Sequence, residues 1–240
     1  MLDFGYYNMD CMQGMKEFPD KYFDLAIVDP PYGDAEGGGG MEPIRREIRK
    51  VHQSTGSETR ERGVSRTGGK WAAKFGKKII AWDVAPGQEY FEELFRVSRN
   101  QIIWGGNYFE LPATRCFLIW RKTNVPEKFT MAMCEYAWTS FNDNAKWLEL
   151  TAVGQQGRFH PTQKPVALYK WILDNYAKPG DKILDTHVGS ASSLIACEDF
   201  GFQYVGFEID EEYYRLGTER LEQNRAQVTI SDLLNDWRFP

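Results

Sequence analysis

Asp29-Pro30-Pro31-Tyr32 puts a carboxylate, a stiff turn and an aromatic ring within four positions. That set suits a planar ring bearing an exocyclic amine. The ring stacks on Tyr32, and the amine donates its two hydrogens to Asp29 and to the Pro30 carbonyl. The preceding run, Leu25-Ala26-Ile27-Val28, is continuously apolar, as expected of a parallel strand covered on both faces. Neither proline has an N–H to extend a ladder, so the strand stops at the tetrapeptide. In open α/β sheets, ligands bind outside such carboxyl ends.

A second constellation lies far downstream. Ile183-Leu184-Asp185 reads as a short strand ending in a carboxylate, followed by the small-residue turn Thr186-His187-Val188-Gly189-Ser190 and a helix. Gly189 permits close backbone approach to a ligand. The next strand, Tyr204-Val205-Gly206-Phe207, ends at Glu208, 19 positions after Gly189. An acidic residue about 20 positions beyond a glycine-containing strand–helix turn suits ribose hydroxyls. Each motif alone also fits a bland reading, a proline-terminated strand in one case and an ordinary helix start in the other. Their co-occurrence favours a nucleoside-binding unit beside an amine-binding turn.

With both motifs in view, the chain resembles the β-type amino-group DNA methyltransferases that use S-adenosylmethionine, especially small phage and prophage forms. Tyr7-Asn8-Met9-Asp10-Cys11, the tetrapeptide, the segment Gln101 to Phe109, the segment Cys116 to Lys122, and His160-Pro161-Thr162-Gln163-Lys164-Pro165 carry the resemblance. The order, catalytic motif before cofactor motif, is the circular permutation that defines the type. The resemblance implies a Rossmann-like α/β fold and catalysis by Asp29, Pro30, Pro31 and Tyr32. It assigns Asp10 and the backbone at Cys11 to the cofactor adenine and Glu208 to the ribose, with Ile209 in the same set. Asp185, Thr186, His187, Gly189 and Ser190 are assigned to the methionine end, Lys164 to the methionine carboxylate, and Asp29 also borders the cofactor. His187 stands where Phe is usual. Ala191 stands where a second Gly is usual, which is expected to narrow the turn or to demand an ordinary φ. His160 suits a structural cap as well as a contact. The family's preference for Asp at the head of the tetrapeptide points to adenine N6. Cytosine N4, an RNA or protein amine, and a non-catalytic nucleic-acid-binding subunit are the alternatives.

The 240 residues can form one α/β domain. They are 42 % hydrophobic and 15 % aromatic. No apolar run nears the roughly 18 residues of a membrane span, and no basic-then-apolar leader opens the sequence. Cys11, Cys116, Cys134 and Cys197 are widely spaced, with no Cys-x-x-Cys pair and no Pro-Cys nucleophile of the kind cytosine-C5 transfer needs. Neither a metal site nor a disulfide frame is expected, and the cysteine pattern suits a reducing cytoplasm; the resemblance implies a bacterial or phage-encoded protein.

Net charge is −5, unevenly spread. Residues 41–80 hold 11 Lys and Arg against 4 Glu, a local +7, leaving −12 elsewhere. The reading is a flexible basic loop over 33–80 that leaves from Tyr32 and contacts DNA through Arg45, Arg46, Arg49, Lys50, Lys70 and Lys74. Trp71 and Phe75 in the same segment suit either base stacking or anchoring to the core. Only this loop and the regions 123–133 and 146–159 are spare for sequence recognition. A short or relaxed site follows, with a homodimer as an open alternative.

The predicted elements are strands at 4–8, 24–28, 101–104, 117–120 and 135–141, a weaker strand at 78–82, and the two strands of the cofactor half. Helices are predicted at 11–18, 90–97, 166–177, following 191, and 211–224. Residues 137–141 are expected to form an edge strand. The fold class expected is one mostly parallel twisted sheet with helices on both faces.

Overall fold

The computed structural model describes residues 1–32, 84–126, 132–151 and 158–236. Its strands are β1 (Gly5–Asn8), β2 (Phe23–Val28), β3 (Ser98–Trp104), β4 (Phe117–Lys122), β5 (Cys134–Thr139), β6 (Lys146–Leu150), β7 (Lys182–Asp185) and β8 (Gln203–Glu208). Its helices are α1 (Cys11–Met15), α2 (Gln88–Val97), α3 (Val166–Tyr176), α4 (Ser192–Phe200) and α5 (Glu211–Asp236). The strands form one sheet in the order β1-β8-β7-β2-β3-β5-β4-β6. Pairing is parallel from β1 through β3 and between β4 and β6, and antiparallel where β5 lies between β3 and β4. The expected mixed, mostly parallel α/β sheet is present.

The central strands explain their own sequence. Along β2, Leu25 and Ile27 join Leu168, Ile172 and Leu194 on one face, while Ala26 and Val28 join Met15, Tyr90 and Leu94 on the other. Successive side chains alternate across a strand, so a sheet covered on both sides needs an unbroken apolar run. On α2, Tyr90, Phe91, Leu94 and Val97 are buried at helical spacing. From β7 the chain moves outward to β8, whereas β2 leads to β3 on the opposite side. The strand order therefore reverses between β7 and β2, which opens a crevice at their carboxyl ends. Asp185 ends β7 and Asp29 directly follows β2.

Several expectations need correction. β5 is internal, flanked by β3 and β4; among the described residues the edges are β1 and β6. Residues 146–150, read as spare, form β6, whose side chains alternate half-buried and exposed. α1 stops at Met15 rather than reaching 18, since Phe18 precedes Pro19 and a residue before proline disfavours helix. α5 runs past 224 through helix formers such as Arg225 and Ala226. The weak strand at 78–82 lies outside the described residues. So does the whole basic segment with Arg45, Arg46, Arg49, Lys50, Lys70, Trp71, Lys74 and Phe75.

Candidate active site

At the end of β2, Asp29 enters the crevice with Pro30 buried behind it. The Tyr32 hydroxyl donates to Asp29 Oδ1 at 2.9 Å. The Tyr32 ring lies 4.7 Å from Tyr108 and 6.2 Å from Phe109, centre to centre. Both aromatics follow β3 through a short 3-10 turn, Gly106–Tyr108. Gly105 precedes that turn with φ of 66°, and a Cβ there would fall 2.1 Å from Tyr32 Cε1. Only glycine meets both demands, left-handed backbone and contact with the ring.

The second oxygen of Asp29 pairs with Lys164. Lys164 is 4 % exposed and also meets Glu135 Oε2 at 3.2 Å. Its ammonium lies 5.3 Å from the centre of the fully buried Trp104 ring. The other oxygen of Glu135 takes Lys122 at 2.6 Å. Two lysines and two carboxylates thus alternate in one chain of formal charge zero. Burial alone would lower the Lys164 pKa, but Asp29 and Glu135 outweigh it and hold the value above the ordinary one. Burial alone would raise Glu135, but Lys164 and Lys122 hold it below the usual range.

Across the crevice, Asp185 Oδ1 accepts the His187 N–H at 3.0 Å and Oδ2 accepts the Ser193 hydroxyl. Burial raises its pKa to about 7, against the pull of these two bonds. Glu208 accepts the N–H groups of Gly189 at 2.8 Å and Asp210 at 2.9 Å, and burial raises it too. Thr186 bonds the Tyr90 hydroxyl at 2.6 Å and His187 Nδ1 at 2.9 Å. Burial lowers His187 to about 4, so its ring is neutral at pH 7. Arg220 of α5 donates to the Ser190 carbonyl at 2.6 Å and clamps the turn.

Asp10 caps α1, its Oδ1 accepting from the Gln13 N–H at 3.1 Å. Gly14 presses α1 onto β8, since a Cβ there would lie 2.3 Å from Phe207. Met9 donates its N–H to the Glu208 carbonyl at 3.1 Å, which joins the start of α1 to the end of β8. Asp10, Cys11, Glu208, the turn 185–190 and the 63 % exposed Ile209 thus gather at one end of the sheet. Carboxylate acceptors and the exposed apolar side chain of Ile209 fit a nucleoside, while the His160 ring takes the space beside Gly189 (φ 55°).

Ala191 adopts φ of 59°, contrary to the ordinary φ expected for a non-glycine residue there. The turn still needs the left-handed conformation, and the buried alanine adopts it at a cost of roughly 1–2 kcal/mol. His160 packs over Gly189 and edge-on to Tyr213 at 4.4 Å, a structural position, and burial lowers it to about 3. The structure places Lys164 on Asp29 and Glu135. Glu135, Lys122, Tyr90, Tyr108 and Arg220 join the site without a motif of their own in the sequence. Tyr108 lies inside a segment that carried the resemblance, whereas Glu135 and Lys122 gain their meaning only when β4 and β5 pair.

Comparison with known proteins finds likeness in sequence and in fold. The DNA methylase family model matches residues 103–219, just under half of the chain. YhdJ of Escherichia coli (strain K12), named a DNA adenine methyltransferase, is 41 % identical over 63 residues, 26 % of this chain and 21 % of YhdJ. YubD of the same strain is 32 % identical over 83 residues, 35 % of this chain and 37 % of YubD. The matched region therefore spans well under half the length of these relatives. Among solved structures, the M1.HpyAVI–SAM complex superposes with a TM-score of 0.51 at 19 % identity, over 90 % of this chain and 98 % of that one. The PvuII DNA methyltransferase, titled cytosine-N4-specific, superposes with a TM-score of 0.54 at 12 % identity, over 95 % and 93 %. These likenesses show a shared fold, a mixed α/β sheet with flanking helices.

Proposed function

We propose that this chain transfers a methyl group from S-adenosylmethionine to the exocyclic amine of a DNA base, with adenine N6 as acceptor. The observation that carries the reading is the Asp29–Tyr32 pair facing the Asp185 and Glu208 carboxylates across the point where the strand order reverses. The match to the DNA methylase family supports it. The catalytic-before-cofactor order supports the permuted form of the fold. YhdJ's name favours adenine, and the PvuII enzyme's title keeps cytosine N4 as the second reading.

Bound in the crevice, the cofactor supplies an electrophilic methyl on a cationic sulfur. Glu208 would accept ribose hydroxyls, Asp10 and Ile209 would border the adenine, and the turn 185–190 would hold the amino-acid end. An aromatic amine is a poor nucleophile, because its lone pair is delocalised into the ring. Asp29 and the Pro30 carbonyl accept the two N–H hydrogens and favour a pyramidal nitrogen with its lone pair free. That lone pair would form the new C–N bond as the donor's C–S bond breaks, the pair from the C–S bond remaining on sulfur. The surplus proton on nitrogen leaves by way of Asp29. Positioning and preorganised acceptors supply the rate, without a covalent intermediate. The base must leave the duplex, and stacking on Tyr32 offsets part of an unstacking cost of a few kcal/mol.

Asp29→Ala tests the assignment. Methyl transfer should fall at least about a hundredfold, in the range for removing a preorganised polar partner of the reacting group. Calorimetry should find S-adenosylmethionine still bound. Turnover near the wild-type rate would remove Asp29 from the mechanism.

A further inference from the structure

In this structure both Asp29 oxygens are engaged, Oδ1 by Tyr32 and Oδ2 by the Lys164 ammonium. The methyl-transfer reading requires Asp29 to accept an amine hydrogen. A cation on Oδ2 fills that approach and weakens the oxygen as an acceptor. Lys164 must therefore shift when the base arrives. It is almost fully buried, so water cannot take over its charge, and an unpaired ammonium in the interior is strongly disfavoured. Among the described residues, the one other carboxylate within ion-pair distance is Glu135, at 3.2 Å.

The fold suits that exchange. Glu135 stands on β5, and Lys122 on the neighbouring β4 holds its far oxygen at 2.6 Å. Lys164 belongs to the non-helical segment before α3, on a long side chain. The acceptor is built on strands and the moving group sits on a connection, which is the arrangement a preorganised seat needs. The lysine moves as an ammonium and no proton changes hands. We propose that Glu135, fixed by Lys122, is a positioning residue that receives the Lys164 ammonium when Asp29 takes the amine of the base. This rests on the methyl-transfer reading and deepens it.

Glu135→Gln tests it under saturating cofactor. With no second carboxylate, the ammonium stays on Asp29. kcat should fall at least tenfold, while the KM for DNA and the Kd for S-adenosylmethionine stay within threefold. Glu135→Asp should recover part of kcat. Adding Lys164→Met to Glu135→Gln should restore part of kcat, because the cation left on Asp29 is gone. Should Glu135→Gln fail to fold, the charge-balanced Lys122→Gln/Glu135→Gln pair gives the same readout, since it also leaves Lys164 on Asp29. Wild-type kcat in Glu135→Gln, or no recovery in the Lys164 double variant, would overturn the proposal. A wild-type protein that binds cofactor but transfers no methyl group overturns the methyl-transfer reading itself, and this proposal with it.

Discussion

Asp185 is a carboxylate in a setting that disfavours its charge. Burial raises its pKa from 3.8 to about 7. Between these values the folded protein keeps a proton that the unfolded chain has lost. Stability should therefore fall as pH rises from about 4 to about 7 and level off above. Asp185→Asn removes that slope. At pH 8 it should unfold later than wild type, by roughly 1–4 kcal/mol at the scale of 1.36 kcal/mol per pKa unit, while losing affinity for S-adenosylmethionine. Chemical denaturation at pH 5 and 8 checks this, and parallel curves for the two proteins would refute it. Gly105 makes the opposite kind of contribution, since its lack of a side chain lets Tyr32 in. In Gly105→Ala, the methyl and the left-handed backbone displace the ring. We expect kcat/KM for DNA to fall about tenfold or more, with cofactor affinity within twofold. A titration of each ligand separates the two effects.

Among the elements, α1 is short yet positions Asp10 and Cys11, which the proposal assigns to the cofactor. It depends on Gly14, whose absent Cβ lets the helix rest on Phe207 of β8. Gly14→Ala should lift α1, cost about 1–3 kcal/mol as overpacking, and weaken S-adenosylmethionine binding through Asp10 and Cys11. Lost stability with unchanged Kd would show that α1 does not carry the cofactor. The elements legible from sequence were those with a strong periodic signal: the unbroken apolar run of β2, the helical spacing of α2, and the strand–turn–helix around Asp185. β6 escaped because Lys146, Trp147 and Glu149 read as surface, and its alternation matters only once β4 pairs with it. The candidate site divides the same way. Asp29, Tyr32, Asp185, Gly189 and Glu208 were visible as short motifs. The Lys122–Glu135–Lys164 series was not, because its members come together only through β4 pairing with β5 and the docking of the segment before α3.

At the scale of the whole molecule, the proposed activity asks a chain of net charge −5 to approach a polyanion. Residues 41–80 carry a local charge of +7 and follow the Asp29–Tyr32 tetrapeptide in sequence. If that segment neutralises phosphates, its deletion should weaken DNA binding and flatten the dependence of log K on log salt, by about 0.9 for each phosphate it had neutralised. An unchanged slope would place the DNA-binding surface elsewhere. The central claim, that this crevice joins a methyl donor to a base amine, is tested most directly by one assay. Labelled S-adenosylmethionine is incubated with unmethylated duplex DNA, and the nucleosides are resolved by mass spectrometry. N6-methyladenine is the expected product. N4-methylcytosine would keep the mechanism and change the base, whereas no methylated nucleoside from protein that binds the cofactor would contradict the claim.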